Sequence, residues 1–422
     1  MRYPMIVALG LTGWIGCASE PPEPDVDYGF PSGAVVGDDI LVAMVRRTAS
    51  TQHEIVTVRV QAGEPTPPAP ALVGFYADKY VGEPELATID GKAYLSFFGD
   101  HAVHGAPLGD DDVIDPGAVV DFGFRPTLVR VGGRFASVSY PDHEFAVLTP
   151  SDTYRASFVT PAGHADGVVE VATLATPLDA LGMPPRCAGN PKLLALVYER
   201  SSLLSSSTVL VSRLDATGAR IGLETELAAD RDTETVVGDA QLTVTDDGAT
   251  LVVYAFSDHG EVSIHATRIE PGAGGAVSDR VTDLHDVPKL LLTSGDRILA
   301  ASAPGPSYAP DFKDFAVRIL DDHGRTVAGP TQVTTGYIDA SMFATPTGFA
   351  VLSSDTSDVV MTPIGRDGTP GAPVMLAQSH HAVAQVDNGG CSTGRTPGPA
   401  LLLLVLVVGW RARSGRRRPR RV

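Results

Sequence analysis

Cysteine is almost absent from this chain. Cys17, Cys187 and Cys391 are the three in 422 residues, so a small fold stapled by disulfides is excluded. Most catalytic signatures are absent too. The sequence has no G-x-S-x-G elbow, no H-E-x-x-H pair, no P-loop and no dinucleotide glycine fingerprint. His53-Glu54 and His143-Glu144 lack the second histidine, four residues on, that a helical zinc site needs, and read as exposed polar positions. Patterns of helical period are few. The apolar run from Ala400 to Trp410 holds only 11 residues, against the roughly 20 a helix needs to cross about 30 Å of hydrocarbon. A permanent single span is a poor reading of it.

Positive charge is scarce except at the C-terminal end. The chain has 32 basic and 50 acidic residues, a net of −18. Seven of the arginines crowd between Arg411 and Arg421, behind the apolar run. Ahead of that run stand a Pro/Gly turn (Thr396 to Pro399) and the small-residue motif Gly389-Gly390-Cys391-Ser392. This order resembles the MYXO-CTERM type of C-terminal sorting signal, in which a Gly-Cys motif precedes a short hydrophobic segment and an Arg-rich end. The resemblance covers residues 389–422 and implies cleavage near Cys391 by a membrane-embedded sorting protease, followed by delivery to the cell surface.

The other end is compatible. Arg2, an apolar stretch from Ile6 to Ile15 and Gly16-Cys17 look like a secretory signal closing in a lipoprotein box. The family pattern has Leu three residues before the cysteine, where this chain has Trp14. The expectation is therefore an exported protein at the outer membrane or cell surface of a Gram-negative bacterium, held there through processed ends at Cys17 and Cys391. Arg2, Arg395 and the seven tail arginines lie in the two signals, which hold no acidic residue; without these nine, 23 basic residues face 50 acidic ones, a net of −27. Such a body repels nucleic acid and attracts cations, and nucleic-acid binding is set aside. Cys187 reads as a small buried hydrophobe in a proline-rich corner.

Between the signals one unit repeats: a strand, a Gly/Asp turn and a second strand. QLTVTDDGATLVVYAFSD (241–258), PKLLLTSGDRILAASAPG (288–305) and ASMFATPTGFAVLSSDTSD (340–358) show it most clearly. A second hairpin with a D-x-x-G turn follows each, as in VLVSRLDATGARIG (209–222) and FAVRILDDHGRTVAG (315–329). Markers of the first hairpin fall near Asp38, Gly91, Gly133, Asn190, Gly248, Gly295 and Gly348, at intervals of 42 to 58 residues. Two hairpins per unit at this spacing resemble the blades of a β-propeller, and predict an all-β ring of about seven four-stranded sheets. A pair or trio of β-sandwiches is the competing architecture. The WD40 and kelch signatures are absent. The expected layout is a signal peptide at 1–16, a Pro/Glu-rich tether at 17–33, the propeller at 34–378, a linker at 379–390 and the sorting signal at 391–422. Segment 161–190 breaks the rhythm and reads as an inserted loop with one short helical turn.

The best metal candidate is the stretch from Asp100 to Asp115, which gathers Asp100, His101, His104, Asp110, Asp111, Asp112 and Asp115. Hard oxygen ligands suit calcium, with Asp110, Asp112 and Asp115 as the candidate donors, although the spacing is not that of an EF-hand. A solvated loop between strands is the alternative. No other cofactor is expected. Tyr94, Phe97, Phe135, Tyr140, Tyr198, Tyr254 and Phe256 alternate with aliphatic residues and read as packing between blades. The functional expectation is a surface-displayed binding or scaffold module for protein or glycan, without catalysis. The alternative is a secreted hydrolase or lyase that uses paired carboxylates in the central funnel. A purely structural envelope protein is the third reading.

Overall fold

The computed structural model describes residues 26–379 apart from 49–52, 62–69, 77–80, 100–101, 115–118, 141–152, 174–178, 182–184, 203–204, 230–234, 260, 303–313, 336–338 and 356–357. Every regular element among the described residues is a β-strand. Blade 1 takes β1 (Val26–Val36), β2 (Asp39–Thr48), β3 (His53–Val60) and β4 (Ala71–Tyr76). Blade 2 takes β5 (Val81–Ile89), β6 (Lys92–Gly99), β7 (Ala102–Pro107) and the first part of the long β8 (Val120–Val131). The rest of β8 opens blade 3, with β9 (Arg134–Tyr140), β10 (Thr153–Val159) and β11 (Ala165–Thr173).

In blade 4, β12 (Asp179–Leu181) and β13 (Arg186–Gly189) lie along one edge of β14 (Leu193–Ser202), followed by β15 (Ser205–Asp215) and β16 (Thr225–Ala229). Blade 5 is β17 (Thr235–Val244), β18 (Thr250–Asp258), β19 (Glu261–Ile269) and β20 (Val277–Val281). Blade 6 is β21 (Leu290–Ser294), β22 (Arg297–Ser302), β23 (Asp314–Leu320) and β24 (Thr326–Thr335). Blade 7 is β25 (Asp339–Thr345), β26 (Gly348–Ser354), β27 (Val359–Gly365) and β28 (Val374–Ala377).

The first strands touch in order, β1 to β5, β8, β13, β17, β21 and β25, and β25 returns to β1. The ring is closed. The chain is a seven-bladed β-propeller.

Each second strand is sandwiched between two neighbouring blades, which explains its unbroken apolar sequence. In β2, Leu41 and Ala43 pack toward blade 2 while Val42 and Met44 pack toward blade 7. In β18, Leu251 and Val253 meet blade 6, and Val252 and Tyr254 meet blade 4. Seven apolar clusters thus fill the seven gaps between blades. Tyr94, Phe97, Phe135 and Tyr254 belong to them, Tyr198 is buried as well, and Cys187 packs at the margin of the cluster between blades 3 and 4.

Among the described residues no strand is shared across the ends of the ring, because blades 1 and 7 are each built from consecutive strands. Side chains hold this seam. Phe343 and Leu352 pack beside Val42 and Met44, Ser341 Oγ donates to the Pro31 carbonyl, and Ser354 Oγ donates to the Tyr28 carbonyl at 2.9 Å.

Two boundaries differ from the sequence expectation. Residues 26–33, assigned to the tether, belong to β1 and form the inner edge of blade 1. Segment 161–190 is not an inserted loop. It supplies β11, the outer strand of blade 3, and both β12 and β13. The inner strand of blade 4 is in two short pieces, both paired with β14, which hides the repeat. The expected terminal signals and the linker from residue 380 onward lie outside the described residues.

Candidate functional site

Alternating antiparallel strands put the turns on two faces of the ring. One face carries the first and third turns of each blade, which are mostly tight. Asp215 Oδ1, for example, accepts from the N–H groups of Thr217 (2.8 Å) and Ala219 (3.0 Å), while Gly218 takes a φ of +88°. The opposite face carries the second turns and the links between blades. Recognition loops belong on such a face, since the strands beneath them are rigid.

The inner edge is stitched blade to blade. Leu86 N–H donates to Ser32 Oγ at 3.0 Å and Leu128 N–H to Glu85 Oε2 at 2.8 Å. Gly132 N–H donates to the Asn190 carbonyl at 3.3 Å, and Asn190 Nδ2 to the Thr245 carbonyl at 2.7 Å. Thr243 and Thr293 hydroxyls meet at 2.8 Å. Ser294 Oγ donates to the Thr345 carbonyl at 2.9 Å, and Ser341 closes the circle on Pro31. Polar inner-strand groups therefore satisfy one another, as buried polar groups must. The Glu85 carboxylate thus joins blade 2 to blade 3.

A second set of bonds links the outer strands. Arg59 on β3 donates to Asp112 Oδ2 at 2.9 Å. Arg213 on β15 donates to the carbonyls of Glu270 (2.8 Å) and Gly272 (2.9 Å). Arg268 on β19 donates to the Asp322 carbonyl at 3.1 Å. In each case the third strand of one blade clamps the third turn of the next.

That clamp bears on the calcium candidates. Asp112 is engaged by Arg59 through both Nε and Nη2. Asp110 is exposed, and Asp115 lies outside the described residues, as do Asp100 and His101. The stretch is not one loop, because β7 runs through it. The candidate donors Asp110, Asp112 and Asp115 all follow β7 in the chain. His104, on β7, instead meets the Gly99 carbonyl at 3.0 Å. Among the described residues no group of three or more His, Cys, Asp or Glu converges as a metal site. Cys17 and Cys391 lie outside the described residues.

Two polar constellations escaped the sequence reading. On blade 4, Tyr198 OH donates to Glu224 Oε1 at 2.5 Å and Arg200 Nη2 to Glu224 Oε2 at 2.9 Å. Burial alone would raise the Glu224 carboxyl, but the hydrogen bonds from Tyr198 and Arg200 and the charges of Arg200 and Arg220 hold it below its ordinary value. Burial first, and then Glu224, push the Tyr198 phenol well above its usual range.

On blade 5, Ser263 Oγ lies 3.1 Å from His265 Nε2, and His265 Nδ1 lies 2.8 Å from Asp279 Oδ2. Asp279 Oδ1 accepts from Thr267 Oγ1 at 2.5 Å and from Tyr254 OH at 3.4 Å. The alternation Ser263-x-His265-x-Thr267 puts three polar groups on one face of β19, a period visible in the sequence. Asp279 comes from β20, and nothing local in the sequence pairs it with them.

No family model matches the chain, and no curated protein matches it. Solved structures do. A polysaccharide lyase of family PL25, an ulvan lyase, superposes with a TM-score of 0.51 at 11% identity, covering 83% of this chain and 97% of that one. The polysaccharide lyase Uly1 superposes at 0.50 and 10% identity, covering 82% and 89%. A prolyl endopeptidase gives 0.49 at 14% identity, and the chain spans only 50% of that protein's length. At such identities the likeness concerns the fold.

Proposed function

We propose that this protein is an exported β-propeller, held at the cell surface by processing at Cys17 and Cys391, that acts as a binding or scaffold module for a protein or glycan. The observation that carries this reading is the stitched inner edge: among the described residues, Ser32, Glu85, Asn190, Thr243 and Ser294 are each engaged by a neighbouring blade, and the second turns and inter-blade links offer the surface for recognition. Propellers of this shape handle polysaccharides in the two lyases named above, and a glycan is a natural ligand class by analogy of fold. Charge narrows the class. Without its terminal arginines the chain carries a net of −27, which disfavours long anionic polymers and favours neutral or amine-bearing partners.

Mass spectrometry of the protein recovered from cell envelopes, combined with a glycan array of neutral and anionic oligosaccharides, tests both halves. Loss of the residues before Cys17 and after the Cys391 region is expected, with binding confined to uncharged or cationic glycans or to a surface protein. An intact chain in the soluble fraction, or degradation of array glycans, would overturn the proposal.

A further inference from the structure

We infer that Ser263, His265 and Asp279 form an acyl-transfer site on the flank of blade 5, where Ser263 Oγ attacks the carbonyl carbon of a small apolar carboxylic ester. This activity is separate from recognition at the loop-bearing face, and neither depends on the other.

The protonation pattern follows from the partners. Asp279 receives His265 on one oxygen, and Thr267 and Tyr254 on the other. An ionised carboxylate accepts all three without a proton of its own. Burial pushes the Tyr254 phenol up to about 12, so it stays a donor to this carboxylate. His265 Nδ1 therefore carries the ring proton, and Nε2 presents its lone pair to Ser263 Oγ. The other acceptor near that hydroxyl is the Phe256 carbonyl at 3.3 Å. The imidazole nitrogen is closer, at 3.1 Å, and more basic. Nucleophile, base and orienting carboxylate thus stand in the order that defines a serine triad by role, whatever the fold.

The register of blade 5 explains why the three meet. Ser263 pairs with Phe256, His265 with Tyr254 on one side and Val281 on the other, and Thr267 with Asp279. Directly paired residues project from the same face of a sheet, so all seven share one surface. The Tyr254 ring stacks on His265 at 5.5 Å, and Phe256 meets it edge-on at 5.6 Å, which fixes the imidazole plane. Access remains: the Asp279 side chain is 42% exposed and Val281 is 59% exposed. Phe256 and Val281 flank the serine and histidine with apolar surface, which suits a short aliphatic acyl group.

In the reaction, the Oγ–carbon bond forms while the hydroxyl proton passes to His265 Nε2. Collapse of the tetrahedral adduct breaks the ester C–O bond, and the departing alcohol takes that proton. Water then adds to the acyl-serine, gives a proton to Nε2, and releases the carboxylic acid as the proton returns to Ser263. The sum is ester plus water to acid plus alcohol. An activated ester is the right probe, because a good leaving group lessens the need for oxyanion donors, each worth about 10²–10³ in rate.

The test uses the full-length protein with p-nitrophenyl acetate and, in parallel, a fluorophosphonate probe, with adducts located by peptide mass spectrometry. An adduct on Ser263 is expected. Ser263→Ala should abolish it and return ester hydrolysis to the buffer rate. His265→Gln should slow labelling at Ser263 by about 10²-fold or more, the scale of general-base assistance. Ser263→Ala removes only a hydroxyl and keeps the His265–Asp279 pair, so its melting curve should match the parent. Absence of a Ser263 adduct in the parent protein, or hydrolysis unchanged in a folded Ser263→Ala variant, would overturn the inference while leaving the binding role untouched.

Discussion

Arg268 Nη2 donates to Asp247 Oδ2 at 2.7 Å. The guanidinium lies on β19 and is only 5% exposed, and it also reaches Glu270 and the backbone of Asp322 in blade 6. One side chain thus joins the first turn of blade 5, the end of its own strand and the third turn of the next blade. Truncation at this point should loosen the contact between blades 5 and 6.

Arg268→Ala is expected to destabilise the ring by about 2 kcal/mol, between the cost of losing an exposed pair and that of stranding a buried one. Arg268→Lys should recover only part of this, since an ammonium cannot span three acceptors in one plane. Thermal melts of the two variants beside the parent check the order.

Acid should release the same clamp. Burial would raise the Asp247 carboxyl, but Thr245 Oγ1, Ala249 N–H and Arg268 outweigh it and bring it down to about 2. The unfolded value is about 3.9. A lowered folded value means the contribution is complete above about pH 4 and fades as the pH falls toward 2. Asp247→Asn should lower stability at pH 7 and flatten its fall in that window, as read by urea titrations at several pH values. A parallel acid limb in the variant would contradict the assignment.

The seam between blades 7 and 1 is tight at Gly33. A Cβ built there would lie 2.4 Å from Phe343 Cε1 and 3.0 Å from Leu352 Cδ1. Gly33→Ala should cost roughly 1–3 kcal/mol by overpacking. Adding Phe343→Leu should return part of the loss, because the clashing ring edge is removed. Denaturant midpoints of the single and double variants measure the coupling.

Calcium removal should leave the ring unchanged. Asp112 is already paired with Arg59. A chelator is expected to shift the melting temperature by less than about 1 °C. A clear drop would support calcium at Asp110, Asp112 and Asp115. Arg59→Ala, by contrast, should lower it, since it frees Asp112 and breaks the link from blade 1 to blade 2.

Much of the architecture could be read locally. The seven hairpin markers fall at or beside the first turns of the seven blades, from Gly37-Asp38 to Pro346-Thr347, because tight antiparallel turns favour glycine or Asx in or next to them. The doubly buried runs such as Leu41 to Val45 announced strands covered on both faces. Two inner strands stayed hidden. β1 sits in a stretch with Pro31 and three glycines (Gly29, Gly33 and Gly37) close by, and β12 and β13 are only 3 and 4 residues long. A strand so short or interrupted takes its conformation from the partner beside it, not from its own composition.

The site residues divide along the same line. Alternation along β19 places Ser263, His265 and Thr267 on one side of the strand, and the sequence alone determines that much, because side-chain direction in a strand has a period of two. It also determines the repeat, the acidic charge and the order of motifs at both ends. Tertiary structure decided which partner each polar group meets: Asp279 reaches His265 from the neighbouring strand, Asp112 is taken by an arginine 53 residues away, and Pro31 closes the ring against Ser341 from the far end of the chain. Hydrogen bonds depend on distances of a few ångströms in space, and separation along the chain carries no record of them until the blades have stacked.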